Sequence, residues 1–191
     1  MAHGMEKARG REFGRKTVAI LGDSTFIHSG ITGLIDIVYN KGNSTVIILD
    51  NSITGMTGHQ HNPTTGFTIK GEPTRQVDLV ALAKAVGVDR VRIADPFDLK
   101  EFEKVVKEEI EADEPSVIIS QRPCALLKNV RYEGPRRISV SKCTKCKMCL
   151  KIGCPAIADR GERPEINEAL CIGCKLCTKV CCFDAIEKAG E

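Results

Sequence analysis

The sequence predicts a doubly wound parallel α/β sheet followed by a small, cysteine-rich α+β domain. Three observations carry that expectation. Over residues 1–121, short and continuously apolar segments alternate with stretches of helical periodicity, as strands buried on both faces of a parallel sheet require. Periodicity is then lost from Gln121 to Arg137, where Pro, Arg and Gly take over and mark a linker at 122–137. Nine of the ten cysteines follow, inside a third segment at 138–191.

Taken in order, residues 1–10 read as the end of a helix and 11–16 as a polar connection. Residues 17–21, Thr-Val-Ala-Ile-Leu, are a first buried strand, ending in Gly22-Asp23-Ser24. Ile31, Leu34, Ile35 and Val38 recur at helical spacing, so 30–40 is a helix. A second strand at 45–49 ends in Asp50-Asn51, and a loop rich in Gly, Thr and Pro fills 52–73. The alternation resumes with a helix at 77–86, a strand at 90–93, a charged amphipathic helix at 99–111 and a strand at 116–119. In such sheets ligands gather at the carboxyl ends of the strands. Gly22-Asp23-Ser24 and Asp50-Asn51 stand at two of those ends.

Composition bounds the function. Of 191 residues, 42% are apolar and 28% charged, the balance of a soluble globular protein, and no apolar run reaches the eighteen or so residues of a membrane span. The first sixteen residues are basic but lack an apolar centre, so they are no secretory signal and the cytoplasm is the expected compartment. The net charge of +3 is scattered. Two small basic runs, Arg9, Arg11, Arg15 and Lys16, then Arg131, Arg136 and Arg137, read as solvated loops. Without interleaved aromatic residues, solvated loops outweigh nucleic-acid binding as their reading, and an acidic docking partner is the functional alternative.

The cysteines run Cys143-x-x-Cys146-x-x-Cys149 with Cys154 following, then Cys171-x-x-Cys174-x-x-Cys177 with Cys181 and Cys182. Three thiolates at every third position of a tight turn converge on one face of an iron–sulfur cubane, and the chain carries the later cysteine to another cluster. Zinc has no use for a third cysteine at the same spacing, and disulfides belong to exported chains. The stretch resembles a bacterial two-cluster ferredoxin. That resemblance implies one 4Fe-4S cluster on Cys143, Cys146, Cys149 and Cys181, and a second on Cys171, Cys174, Cys177 and Cys154. Two departures are a fourth residue before Cys154 and Cys182 where proline is expected. Cys181 keeps the three-residue gap and is preferred to Cys182. Cys124, alone in the linker, reads as a small apolar residue.

Asp23 and Asn51 stand 28 residues apart at the ends of two strands, a carboxylate and a carboxamide suited to Mg²⁺ that also binds phosphate oxygens. Gly22-Asp23-Ser24 followed by Asp50-Asn51 resembles the diphosphate and Mg²⁺ motif of thiamine diphosphate enzymes. The resemblance implies that Asp23, Asn51 and the carbonyl of Ile53 ligate Mg²⁺, with Gly22, Ser24 and Thr57 at the cofactor. Within that family, Met56-Thr57-Gly58-His59-Gln60 with Pro63-Thr64-Thr65, and Phe26-Ile-His28-Ser29-Gly30, are similar to 2-oxoacid:ferredoxin oxidoreductases, specifically the alpha subunits of the indolepyruvate branch. This implies oxidative decarboxylation of aryl pyruvates to acyl-CoA, with electrons passing through both clusters to ferredoxin. It also implies partners: a beta subunit, coenzyme A, the 2-oxoacid, and a pyrimidine-binding part whose glutamate does the acid–base work and which has no counterpart in this chain. His28 and His59 are weak catalytic candidates, and His61 is a further loop histidine; polar loop positions account for them equally well. The alternative reading is an electron-transfer module with no catalysis of its own.

Overall fold

Four of the apolar segments pair side by side as the alternation predicts. The computed structural model describes residues 1–190 and divides into two compact units, Met1–Cys124 and the chain from Ala125 on. In the first unit, strands β1 (Val18–Gly22), β2 (Thr45–Asp50), β3 (Arg90–Ala94) and β4 (Ser116–Gln121) form one sheet in the order β1-β2-β4-β3. All three pairings are parallel, with Val18 beside Thr45 and both Thr45 and Arg90 beside Ser116.

Apolar side chains leave this sheet on both faces, which is why its central strands need no polar alternation. On one face Val46, Ile48, Val117 and Ile119 pack against Phe26, Leu34, Ile37, Leu79 and Ala83. On the other, Ile47, Ile118 and Ala94 meet Phe102, Val105 and Val106. Each fully buried side chain of this size contributes about 1.5–3 kcal/mol. The last group comes from α6 (Leu99–Glu111), capped by Asp98, whose carboxylate accepts from Glu101 N. Its bounds are those predicted. Glu109 on that helix is 1% exposed and would be a costly buried charge were it not held by Arg90 through two hydrogen bonds of 2.9 and 3.0 Å.

Helix α1 (Ala2–Arg9) is tied down by Glu6, itself 2% exposed, whose carboxylate accepts from Asn43 N, Ser44 Oγ and the His3 ring. Gly42 must lack a side chain here, because a Cβ would lie 2.6 Å from the His3 ring. Residues 11–16, predicted as a plain connection, contain the short helix α2 (Arg11–Gly14). Arg11 fixes it by donating to Asp113 and to the Lys41 carbonyl, long-range partners that a local reading does not contain.

Between β1 and β2 the chain forms α3 (Asp23–Thr25), a π-helical turn (Phe26–Gly30) and α4 (Ile31–Tyr39). Only the last of these carries the predicted periodicity. Gly30 lets the turn pass close to β1: a Cβ would stand 2.2 Å from Leu21 Cδ1, so a larger residue would make that side chain move. Helix α5 (Leu79–Ala85) is capped by Asp78. The long loop after β2 has no strand or helix until α5, but the isolated bridges Thr54 to Gln60 and Phe67 to Pro73 order it. The first unit continues past β4, since Arg122 N and Cys124 N donate to the carbonyls of Asp50 and Asn51. Cys124 is half-buried.

The second unit consists of two antiparallel ribbons and two 3-10 turns. Strand β5 (Arg136–Ile138) pairs with β8 (Ile186–Lys188), and β6 (Ile157–Asp159) with β7 (Pro164–Ile166). The turns Met148–Ile152 and Leu176–Val180 each follow a left-handed lysine, Lys147 (φ 59°) and Lys175 (φ 62°). Ile157, Cys177 and Ile186 form its small core with Ile138, Leu150, Ile152 and Ile166. Arg136, read from sequence as part of a solvated loop, is 7% exposed. It is the first residue of β5, and pairing with β8 carries it inward. No helix among the described residues is long and apolar enough to cross a membrane.

Candidate functional site

Gly22 ends β1 and Asp23 opens the helix that follows, so the carboxylate is delivered to the carboxyl edge of the sheet. It is 3% exposed. Oδ1 accepts from Ser24 N at 2.7 Å, and Oδ2 from Asn62 Nδ2 at 3.2 Å and Thr64 Oγ1 at 3.0 Å. Asn62 also donates to Thr54 Oγ1, which links Asp23 to the loop after β2. Asn51 begins that loop, its Oδ1 accepting from Ile53 N at 3.2 Å, and Ile53 is buried. The set of a carboxylate, a carboxamide and a nearby carbonyl is one of hard oxygen donors, and fits Mg²⁺.

Asn62 and Thr64 were not singled out as site residues, and neither was Asp50, which accepts from Ser52 N and from Gln121 Nε2 at 2.8 Å. The signal for Thr64 was present in the Pro63-Thr64-Thr65 motif, whereas Asn62 has none apart from its neighbours. Asp50, Thr64 and Gln121 border a cavity of about 230 Å³ that reaches Ile93 of β3 and the start of α5. Thr57 lies exposed, its hydroxyl 2.7 Å from Gln60 Oε1. His59 is exposed in a left-handed conformation, and His28 is exposed on the π turn. His61 is engaged by Thr65 Oγ1 and stacks on Phe67 at 5.1 Å.

The cysteines of the second unit surround two separate cavities. One is lined by Cys143, Cys146, Cys149 and Cys181, the other by Cys154, Cys171, Cys174 and Cys177. Cys182 is exposed and lines neither. Burial raises the Cys149 thiol, and Cys143, Cys146 and Cys181 add to the effect. Burial likewise pushes Cys177 up to about 11, with Cys171, Cys174 and Cys154 contributing. A thiol so raised stays protonated at neutral pH until a cation among the four compensates its charge. Among the described residues no three His, Cys, Asp or Glu side chains close on one point as a single ion requires. Four thiols around each void, with apolar walls such as Ile138 and Ile186 or Ile157 and Ile166, fit a larger iron–sulfur cluster.

Residues 1–120 match the thiamine pyrophosphate enzymes' C-terminal TPP-binding domain. The chain is 38% identical over 210 aligned positions to the indolepyruvate oxidoreductase subunit IorA of Pyrococcus horikoshii, which covers 100% of this chain and 32% of that protein. It is 40% identical over 185 positions to the IorA subunit of Thermococcus kodakarensis, covering 91% of this chain and 28% of that one. The chain therefore spans about a third of the length of these curated relatives. Among solved structures, it is similar to a 2-oxoglutarate:ferredoxin oxidoreductase from Magnetococcus marinus, with a TM-score of 0.57 at 20% identity over 68% of this chain and 45% of the other. That is a likeness of fold.

Proposed function

The chain belongs to the thiamine pyrophosphate enzymes, through their C-terminal TPP-binding domain, and from that membership we propose that it is a subunit or part of a 2-oxoacid:ferredoxin oxidoreductase. The reaction is the oxidative decarboxylation of aryl pyruvates, indolepyruvate among them, to acyl-CoA in the cytoplasm. One observation carries the proposal: a single chain joins a family sheet whose carboxyl edge presents Asp23 and Asn51 to a unit with two four-thiol cavities. A non-oxidative thiamine enzyme has no use for the second unit.

Asp23, Asn51 and the Ile53 carbonyl would hold Mg²⁺, and Gly22, Ser24 and Thr57 would bind the cofactor. Asn62 and Thr64 orient the Asp23 carboxylate by donating to its Oδ2. Thiamine diphosphate, when bound, supplies the electron sink that decarboxylation of a 2-oxoacid needs. Cys143, Cys146, Cys149 and Cys181 would hold one 4Fe-4S cluster and Cys154, Cys171, Cys174 and Cys177 the other, which when bound would supply one-electron transfer toward ferredoxin. Turnover requires, besides residues 1–191, a beta subunit and a pyrimidine-binding part with its glutamate, whether the latter belongs to a longer form of this chain or to a separate one.

Calorimetry with thiamine diphosphate and Mg²⁺ tests the first half. The chain binds, and Asp23→Ala weakens binding at least tenfold; equal heats from both sink the Mg²⁺ assignment and leave the electron-transfer module. Anaerobic reconstitution tests the second half and yields about eight irons per chain, where four or fewer refute two clusters.

A further inference from the structure

The second cysteine cavity carries a charge that the first does not. Each cavity is lined by one left-handed lysine, Lys147 in the first and Lys175 in the second. Each of these is paired with a carboxylate, Asp159 and Glu133 respectively, so the two lysines balance across the repeat. Arg136 has no such counterpart. It lines the second cavity beside Cys154, Cys171, Cys174 and Cys177. It is 7% exposed, and its Nε is buried with no hydrogen-bond partner among the described residues. Among the described residues its ion pair, Nη2 to Glu133 Oε2 at 2.9 Å, is with a side chain that is 59% exposed and therefore screened by water. The backbone N–H of the same residue donates to Cys171 Sγ at 3.4 Å. A buried cation with an orphaned donor is costly unless a negative group fills the space beside it.

We propose that Arg136 sets the reduction potential of the second cluster, raising it by charge and by its N–H to sulfur contact. The proposal rests on the two-cluster reading. A cluster that accepts one electron becomes one unit more negative, with no bond made or broken, so a fixed cation and an N–H donor at a ligand sulfur both favour the reduced form. In a poorly solvated interior that preference is felt strongly. Arg136 is thus a tuning residue: it ligates nothing and acts through the field at the cluster.

The test is a redox titration followed by electron paramagnetic resonance on the full chain, reconstituted anaerobically. Arg136→Gln lowers one of the two midpoint potentials by about tenfold in the reduction equilibrium, about 59 mV for a one-electron couple, and leaves the other in place. Arg136→Lys keeps most of the wild-type value. Glu133→Gln, which removes the carboxylate facing Arg136 and Lys175, moves the same midpoint upward. If Arg136→Gln sheds a cluster, the lysine and Glu133 variants decide. Midpoints that stay put in Arg136→Gln and Glu133→Gln, or that move together, overturn the proposal. A wild-type chain with fewer than about eight irons defeats the two-cluster reading itself, and this proposal with it, before any titration begins.

Discussion

Glu6 shows what one side chain decides. Burial alone would raise its carboxyl, but the Asn43 N–H, His3 and Ser44 all favour the charged form and outweigh burial, leaving it below its ordinary value of 4.5. The sign follows from the depressed folded value: the stabilisation is present above about 4.5 and is lost as pH falls through the folded value. Amide-exchange protection of Ala2–Arg9 is therefore expected to drop in that acidic range, and Glu6→Gln to show the loss already at pH 7. Residues of this kind were only partly legible. Asp23 and Asn51 stand out in the sequence because a strand end and a short motif mark them, whereas Asp50 is a letter of that motif with no role attached to it. Asn62 does not stand out: nothing local distinguishes it, and its role comes from a hydrogen bond across 39 positions to Asp23. Arg136 was misread for the same reason, since a basic run looks alike in sequence whether its members are wet or buried.

At the scale of elements, the cysteine repeat is built from two copies of one turn with unequal surroundings. Lys145 (φ 62°) and Gly173 (φ 76°) occupy equivalent left-handed positions, so the conformation itself admits a side chain. At Gly173 another segment comes close, and a Cβ there would stand 2.0 Å from the Gly134 carbonyl oxygen. Gly173→Ala is expected to displace that crossing and cut iron from about eight to about four per chain, while Lys145→Ala keeps all of it, read by iron analysis after anaerobic reconstitution. Element types were well marked where a periodic face and a cap coincide, as in α6 with Asp98. They were poorly marked where partners are distant: α2 depends on Arg11 meeting Asp113, 102 positions away, and the π turn has no periodicity of its own.

For the whole molecule, the sequence showed a break in composition, and the structure puts the division between Cys124 and Ala125, after the two backbone hydrogen bonds that bind 122–124 to the loop beyond β2. Lys128 and Arg131 lie just past it and are exposed. Brief trypsin treatment of the reconstituted protein is expected to cut there, with the iron following the carboxy-terminal fragment on a sizing column; iron lost at the moment of cleavage would mean that the units depend on each other. The π turn bears on how such a molecule can change. Successive residues of a regular helix are about 100° apart, so the wider turn at Phe26–Gly30 acts as a phase shifter between Asp23 and the Leu34 and Ile37 face. Deleting one residue would restore a regular helix and swing either the carboxylate or the apolar face out of place. This segment is thus more tolerant of changes in letter than of changes in length.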